Sequence, residues 1–299
     1  MKKAYRKKAF HPATMVDIQY ADAIIVEYKG QGFRLTLRQL YYQFVSRGLI
    51  QNTVHEYKRL GTIVTDGRYA GLLDWEGIED RTRNLVDPQH WADPQEIVEA
   101  IARSYREEKW STQPERVEVW IEKEALSGVF ERICNRLDVP FLACRGYLSA
   151  SEMWGGSQRL REHEGVQQTT FILYFGDHDP SGLDMERDIR RRLAEFESTV
   201  TVEHIALTME QVNQYKPPPD FAKKSDARYE AYRRRFGPET WELDALDPAT
   251  LSALVEKHVR LHRDERLWAE AEAHEQQQRG VLTAAADQWE SVVARLSAD

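Results

Sequence analysis

The stretch FILYFGDHDPSG, residues 171–182, decides the fold class. It begins with five apolar, β-prone residues and then runs into a glycine and two aspartates, Asp177 and Asp179, one residue apart. A continuous apolar run of this length is typical of a strand that is buried on both faces of a parallel sheet. Because such sheets place their sites at the carboxyl ends of strands, we expect both aspartates at a site, with a cation between their charges.

The segments around this strand alternate between strands and helices from about residue 115 to residue 215. The predicted strands are RVEVWI (116–121), VPFLACRG (139–146), TTFILYF (169–175) and VTVEHIAL (200–207). The predicted helices between them cover residues 125–137, 149–163 and 183–196. This alternation predicts an α/β domain whose mainly parallel sheet is covered by helices on both faces.

The segments before and after the α/β domain are predicted to be mainly helical. Before the α/β domain, three short helices are predicted at residues 15–29, 36–48 and 52–73, followed by the irregular stretch DWEGIEDRTR (74–83). Residues 1–110 therefore suit a helix-turn-helix or winged-helix module. Residues 216–299 are predicted to form a mainly helical C-terminal extension.

Composition limits the classes of function. The 299 residues carry 41 Lys and Arg against 49 Asp and Glu, a net charge of −8, so a nucleic-acid partner would need local basic patches. The two cysteines, Cys134 and Cys144, exclude a disulfide framework and disfavour a zinc site. Because the basic N-terminus lacks a following apolar region, and no apolar run approaches the roughly 20 residues of a membrane span, we expect a soluble, reduced, cytoplasmic protein.

A third acid belongs with the two aspartates. Glu122 closes the strand VEVWIE (117–122) in a position equivalent to that of Asp177 and Asp179. Three carboxylates at the ends of two strands suit a hard cation, Mg²⁺ or Mn²⁺, rather than zinc. His178 is predicted to point away from both aspartates and to be packed or solvent-facing rather than a ligand. For the two aspartates alone, a surface turn without a metal remains the alternative.

The second helix carries adjacent tyrosines in LRQLYYQFVS, residues 37–46. At about 100° per residue, Tyr41 falls on the apolar core arc, whereas Tyr42 falls outside it, displayed between Arg38 and Ser46. A phenol with its usual pKa of about 10 is a poor nucleophile, but a neighbouring guanidinium stabilises phenolate and binds phosphate. Arg38 and Tyr42 are therefore spaced for attack on a phosphodiester. The alternative is an ordinary amphipathic helix with a surface tyrosine.

Together these segments carry a family resemblance. TLRQLYYQF (36–44) resembles the tyrosine motif of the DNA-cleaving subunit of topoisomerase VI and its meiotic double-strand-break relatives. WIEKEALSGVFERI (120–133) and FGDHDPSG (175–182) resemble the glutamate and DxD motifs of their Toprim domain. The resemblance covers about residues 30–215. It implies a compact, bacterial-type member in which a winged-helix domain (1–110) precedes a Rossmann-like Toprim domain (115–215).

The resemblance also implies roles for individual residues. Tyr42 would form a phosphotyrosyl link to DNA, with Arg38 assisting at the scissile phosphate. Glu122, Asp177 and Asp179 would hold Mg²⁺, and Glu122 would also pass a proton to or from the sugar oxygen. The implied partners are double-stranded DNA, a second copy of the chain whose tyrosine faces the metal of the first, and a separate ATPase subunit, since no GxxxxGK[ST] motif is present.

We therefore expect Mg²⁺-dependent DNA double-strand breakage by tyrosine transesterification. One alternative is a Toprim hydrolytic nuclease of a defence or plasmid-control system, with water as the nucleophile. Another is a DNA-binding protein with a relic active site, which the loss of one of the three acids would favour, although all three are present. On the third helix, Lys58, Arg59 and Arg68 are predicted DNA contacts, with solvated surface charges as the alternative. The stretch ETWELDALDP (239–248) receives no chemical role.

Overall fold

The fold is given by a computed structural model that describes residues 1–79, 88, 90–221 and 226–296. Its α-helices are α1 (Pro12–Gly30), α2 (Leu37–Ser46), α3 (Val54–Tyr69), α4 (Pro94–Ser104), α5 (Ser127–Leu137), α6 (Ala150–Gly165), α7 (Pro180–Glu195), α8 (Met209–Tyr215), α9 (Tyr229–Phe236), α10 (Pro248–Leu261), α11 (Glu265–Asp287) and α12 (Trp289–Leu296). Its strands are β1 (Glu115–Ile121), β2 (Phe141–Ala143), β3 (Thr169–Phe175), β4 (Thr201–Ala206), β5 (Asp220–Phe221) and β6 (Glu239–Thr240). Short 3₁₀ turns cover Lys109–Thr112, Glu124–Leu126 and Leu243–Ala245.

Strands β1 to β4 form one parallel sheet in the order β2-β1-β3-β4. Strands β1 and β3 are aligned along their whole length, from Glu115 opposite Thr169 to Ile121 opposite Phe175. A separate two-stranded antiparallel sheet joins β5 and β6. The predicted α/β class with a parallel sheet is therefore confirmed.

Helices cover both faces of the parallel sheet, as the alternation predicted. One face packs against α5 and α10 through a core that includes Val119, Ile121, Leu173, Phe175 and Ile205. The opposite face packs against α6 and α7 through Trp120, Ile172, Tyr174 and Val202. Strand β3 lies inside the sheet and is covered on both faces, and its sequence is correspondingly apolar from Phe171 to Phe175.

The order of the strands fixes where a site can form. The chain runs from β1 outward to β2 and then returns to the other side of β1 to form β3. The carboxyl ends of β1 and β3 are therefore neighbours on either side of a topological switch point, which is where open α/β sheets form their binding crevices.

The three predicted N-terminal helices are confirmed as α1, α2 and α3. Thr36 caps α2 in a capping box with Gln39, and Thr53 caps α3. The chain leaves α2 through Gly48, whose φ of +68° lies in the left-handed region that favours glycine. Helix α4 was not predicted. In the irregular stretch 74–83, residues 80–83 lie outside the described residues.

The C-terminal segment is built into the body of the α/β domain. Residues from its first half, among them Trp241, Leu243, Leu251 and Val255, share one core with the sheet. Helix α10 packs against α5, and α11 packs against α4. Helices α9 to α12 make this region mainly helical, and several side chains between Trp241 and Trp268 belong to the core of the sheet. Over the described ranges, no helix has both the length and the apolar character needed to cross a membrane.

Candidate functional site

The two strand ends that carry the predicted acids are tied together by their backbone. The amide of Glu122, the first residue after β1, donates to the carbonyl of Phe175 at 2.8 Å. The amide of Asp177 donates in turn to the Glu122 carboxylate at 2.8 Å. Burial raises the pKa of Glu122, and the charge of Asp179 adds to this, although the bond from Asp177 opposes it. The first acid thus anchors the loop that bears the other two.

Asp177 is buried, and both of its carboxylate oxygens are in use. One accepts a hydrogen bond from the amide of Leu243 at 2.7 Å, and the other lies 2.9 Å from the ammonium of Lys123. Burial raises the pKa of Asp177 well above its usual range, against the opposing effect of Lys123. A buried carboxylate without such partners would be strongly unfavourable, so these contacts stabilise the site.

Asp179 caps the helix that follows β3. Its carboxylate accepts hydrogen bonds from the amides of Ser181 at 2.9 Å and Gly182 at 2.6 Å, and Pro180 occupies the first helical position. Residues 180–182 therefore form the first turn of α7. Gly182 is required there because a Cβ at this position would lie 2.2 Å from the carbonyl oxygen of Asp177.

His178 points away from the acids, as predicted, and is packed rather than solvent-facing. Its backbone pairs with Trp241, and its ring contacts the rings of Tyr232 and Phe236. Burial lowers the pKa of His178 to about 4. The neutral imidazole is thus part of the packing that holds residues 239–248 against the strand end.

Lys123 supplies a cation that sequence reasoning missed. Its ammonium lies 2.9 Å from Asp177, 3.1 Å from Asp244 and 3.2 Å from Glu242. Burial by itself lowers the pKa of Lys123, but the charges of Asp177, Asp244 and Glu242 outweigh it, so the pKa is raised. An amino group thus neutralises Asp177, one of the two aspartates beside which a cation was expected. Its position directly after Glu122 was the available sequence signal.

Residues 239–248, for which the sequence predicted no role, contribute two further acids to the surroundings of Lys123. Strand β6 and the turn Leu243–Ala245 bring Glu242 and Asp244 over the strand ends. Asp244 is only 2% exposed, and burial raises its pKa. The alternation of two acids with apolar residues in WELDAL was the only sequence signal, and it does not reveal which part of the fold the stretch contacts.

Lys123, Asp177, Glu242 and Asp244 form one ion-pair cluster, and Tyr42 lies at its edge. Its hydroxyl donates to Glu242 at 2.5 Å, and the guanidinium of Arg38 lies 3.3 Å from that hydroxyl. Arg38 also pairs with Glu242 and, at 3.2 Å, with Asp244. The predicted proximity of Arg38 to Tyr42 is therefore present. Both residues are also joined to the acids of the sheet, through Glu242 and Lys123, within a single chain.

The predicted surface position of Tyr42 is wrong, because the side chain is buried at 6% exposure. A helical wheel considers one helix alone, whereas Glu242 and its neighbours cover the exposed side of α2. Burial raises the pKa of Tyr42, and the charges of Asp244 and Glu242 add to this. Tyr41 is buried, as predicted, and its hydroxyl donates to Asn52 at 2.9 Å.

Two adjoining cavities open onto this cluster. The first, of about 300 Å³, is lined by charged groups that include Arg38, Lys123, Asp177, Asp179 and Glu242. The second, of about 200 Å³, is lined by Tyr42, Tyr41 and, again, Arg38. Arg38 lines both cavities and contacts both the Tyr42 hydroxyl and Asp244, so a phosphate group in either cavity could reach its guanidinium.

The donor chemistry of the predicted metal site fits a hard cation. Glu122 and Asp179 each keep one carboxylate oxygen without a hydrogen-bond partner in the described part of the chain. Asp177, in contrast, is engaged by Lys123. As the side chains stand in the described ranges, no three His, Cys, Asp or Glu residues are grouped closely enough to hold a metal ion. Binding through all three predicted ligands would require Asp177 to exchange its lysine for the metal.

The three predicted DNA contacts on α3 differ in their surroundings. Lys58 is exposed. Arg59 pairs with Asp17 at 2.6 Å and Glu56 at 2.8 Å. Arg68 donates to the backbone carbonyl of Trp75 at 2.7 Å and lies over its ring. Of the three, only Lys58 presents its charge to solvent without an ion pair or stacking contact in the described residues.

Comparison with known proteins gives no assignment. No protein-family model matches the sequence, and no curated protein matches it either. Function is therefore inferred from the residues and their arrangement.

Proposed function

We propose that this protein cleaves DNA by Mg²⁺-dependent tyrosine transesterification, as the DNA-cleaving subunit of topoisomerase VI does. In this proposal the parallel-sheet domain is a Toprim domain, and α1 to α3 belong to a winged-helix DNA-binding domain. The observation that carries the proposal is the single network that links the Tyr42 hydroxyl and Arg38, through Glu242 and Lys123, to Asp177.

Each residue in the proposed reaction has a defined task. Arg38 binds the scissile phosphate, and its guanidinium stabilises negative charge on the phenolic oxygen of Tyr42. That oxygen attacks phosphorus, a new phosphorus–oxygen bond forms, and the bond from phosphorus to the departing sugar oxygen breaks. The phenolic proton passes to solvent, and Glu122 supplies a proton to the sugar oxygen.

Glu122, Asp177 and Asp179 would hold the metal ion. A bound Mg²⁺ would act as a Lewis acid that stabilises charge on the phosphate. The covalent tyrosine link preserves the energy of the broken bond, so the break can be resealed. The further partners we propose are a second copy of this chain, to cut the opposite strand, and a separate ATPase subunit for any strand passage.

A second candidate, hydrolytic cleavage by the Toprim acids with water as the nucleophile, is favoured by one observation. Tyr42 is buried, and its pKa is raised rather than lowered, which makes the free protein poorly prepared for attack by phenolate. Tyrosine transesterification therefore requires the surroundings of Tyr42 to change when DNA binds.

The fate of the DNA ends distinguishes the two candidates. The protein is incubated with supercoiled plasmid and Mg²⁺ and stopped with detergent, and the DNA is analysed with and without protease digestion. Transesterification predicts cleaved DNA that carries protein until protease releases it, and loss of this product in Tyr42→Phe, in Asp177→Asn and in EDTA. The matched control, Tyr41→Phe, removes the adjacent hydroxyl and should retain the product.

Either of two results would contradict the proposal. Free DNA ends that survive Tyr42→Phe but not Asp177→Asn would identify a hydrolase. An absence of any cleavage in wild type, over a range of DNA substrates and with either Mg²⁺ or Mn²⁺, would exclude both activities for this chain alone.

A further inference from the structure

The carboxylate of Glu242 lies where Tyr42, Arg38 and Lys123 converge. One of its oxygens accepts a hydrogen bond from the Tyr42 hydroxyl at 2.5 Å and lies 3.2 Å from the ammonium of Lys123. The same oxygen is paired with the guanidinium of Arg38. A single oxygen of an internal carboxylate is thus held by two cations and by the proposed nucleophile.

These contacts match what an attacked phosphodiester would need. A non-bridging phosphate oxygen is an anionic acceptor of similar size to a carboxylate oxygen, and guanidinium and ammonium groups bind both. In addition, the phosphorus atom must lie close to the tyrosine oxygen for attack to occur. Glu242 therefore occupies the volume that a productively bound phosphate would fill.

We propose that Arg38, Lys123 and the Tyr42 hydroxyl form a seat for one oxygen of a DNA phosphodiester, which Glu242 occupies in the free protein and vacates when DNA binds. The inference rests on the proposed function for its substrate, DNA. It adds Lys123 as a phosphate-binding residue and gives stretch 239–248 a role in controlling access to the tyrosine.

The neighbouring ion pairs leave both cations with carboxylate partners after Glu242 departs. When Glu242 departs, Lys123 keeps Asp177 and Asp244, and Arg38 keeps Asp244. Asp244 is almost fully buried, whereas the side chain of Glu242 is 23% exposed and lines the larger cavity. Glu242 can therefore rotate toward solvent while Asp244 continues to hold both cations in place.

A role as proton acceptor for Tyr42 fits this carboxylate less well. Burial tends to raise the pKa of Glu242, but Lys123, the hydrogen bond from Tyr42 and the charge of Arg38 lower it to about 2. A group that is so weakly basic has little tendency to take a proton from a phenol whose pKa is itself raised. Glu242 behaves as a fixed anion that competes with phosphate for the same donors.

The test measures the affinity of the full-length protein for a short DNA duplex in EDTA, where no Mg²⁺-dependent cleavage interferes. Glu242→Gln should bind the duplex about tenfold more tightly, because one competing ionic contact is removed. The control, Glu131→Gln, removes the same charge from an exposed position on α5 and should change the affinity less than about twofold. Adding Arg38→Gln to Glu242→Gln should abolish the gain, because the seat then lacks its guanidinium.

A second variant keeps the inference testable if Glu242→Gln does not fold. Glu242→Asp keeps the charge but withdraws it by one methylene group, and it should bind DNA with an affinity between those of wild type and Glu242→Gln. Unchanged or weaker binding by a folded Glu242→Gln protein overturns the inference. Equal gains in Glu242→Gln and Glu131→Gln also overturn it, since the effect would then reflect net charge alone.

A cleavage assay distinguishes failure of this inference from failure of the proposed function. If wild type forms no protein-linked DNA but Glu242→Gln still gains affinity through Arg38, the proposed function fails while the phosphate seat stands. If wild type forms the linked product and Glu242→Gln loses it with unchanged affinity, Glu242 acts as the proton acceptor and the phosphate-seat inference fails.

Discussion

Replacing Lys123 with methionine tests whether the buried cation holds the acidic cluster together. Methionine preserves most of the hydrocarbon volume, so the main change is loss of the ammonium. Asp177 would lose its only cation partner among the described residues, whereas Glu242 and Asp244 would keep Arg38. Of the three carboxylates that contact Lys123, only that of Asp177 is thus left without a cation partner among the described residues. Breaking a buried ion pair in this way costs about 3–5 kcal/mol, which is the destabilisation we expect.

The free energy of unfolding is measured by urea denaturation, with circular dichroism and tryptophan fluorescence followed together to detect intermediates. Lys257→Met, an exposed position on α10, is the control and should change stability by less than about 0.5 kcal/mol. Adding Asp177→Asn to Lys123→Met should recover part of the loss, because the unpaired charge is removed. A loss below about 1 kcal/mol in Lys123→Met, or strictly additive effects in the double variant, would refute the reasoning.

Two further predictions concern contacts outside the ion-pair cluster. Tyr28 is buried and donates its hydroxyl to Asp247, so Tyr28→Phe should lower the free energy of unfolding by about 1–2 kcal/mol in urea; a change within error would show that this bond contributes nothing. Gly182→Ala should destabilise by at least about 1–3 kcal/mol, because its Cβ would meet the backbone of Asp177, whereas Gly155→Ala, with open space around it in α6, should stabilise by about 0.5–1 kcal/mol. Thermal unfolding of both glycine variants checks this pair, and shifts of the same sign would contradict the steric argument.

Some features of the site followed directly from local sequence patterns. The apolar runs before Glu122 and Asp177 predicted two buried strands, and the helical segments between the strands predicted a parallel sheet. Parallel strands present their carboxyl ends at one edge, so the three acids were expected near one another. The orientation of His178 away from the aspartates followed from the alternation of side chains in extended backbone.

Other features were wrong or missing because they depend on contacts between distant parts of the chain. Tyr42 appeared exposed when α2 was considered alone, but Glu242, 200 positions later, covers it. A role for Lys123 was not predicted, because it depends on ion pairs with Asp244 and Glu242, which are distant in the sequence. Nothing in the local pattern of residues 239–248 shows which strand ends they contact.

The sequence by itself determined the elements and their order: helices followed by a parallel α/β unit, with acids after two of its strands. Hydrophobic periodicity, helix caps and turn residues act over a few positions, so they can be read without knowing the fold. Only the tertiary structure decided that the ammonium of Lys123 pairs with Asp177. It also decided that the tyrosine is covered by Glu242 and that the C-terminal segment completes the site. The physical reason is that burial and ion pairing depend on which distant segments meet, and that is set by packing of the whole chain.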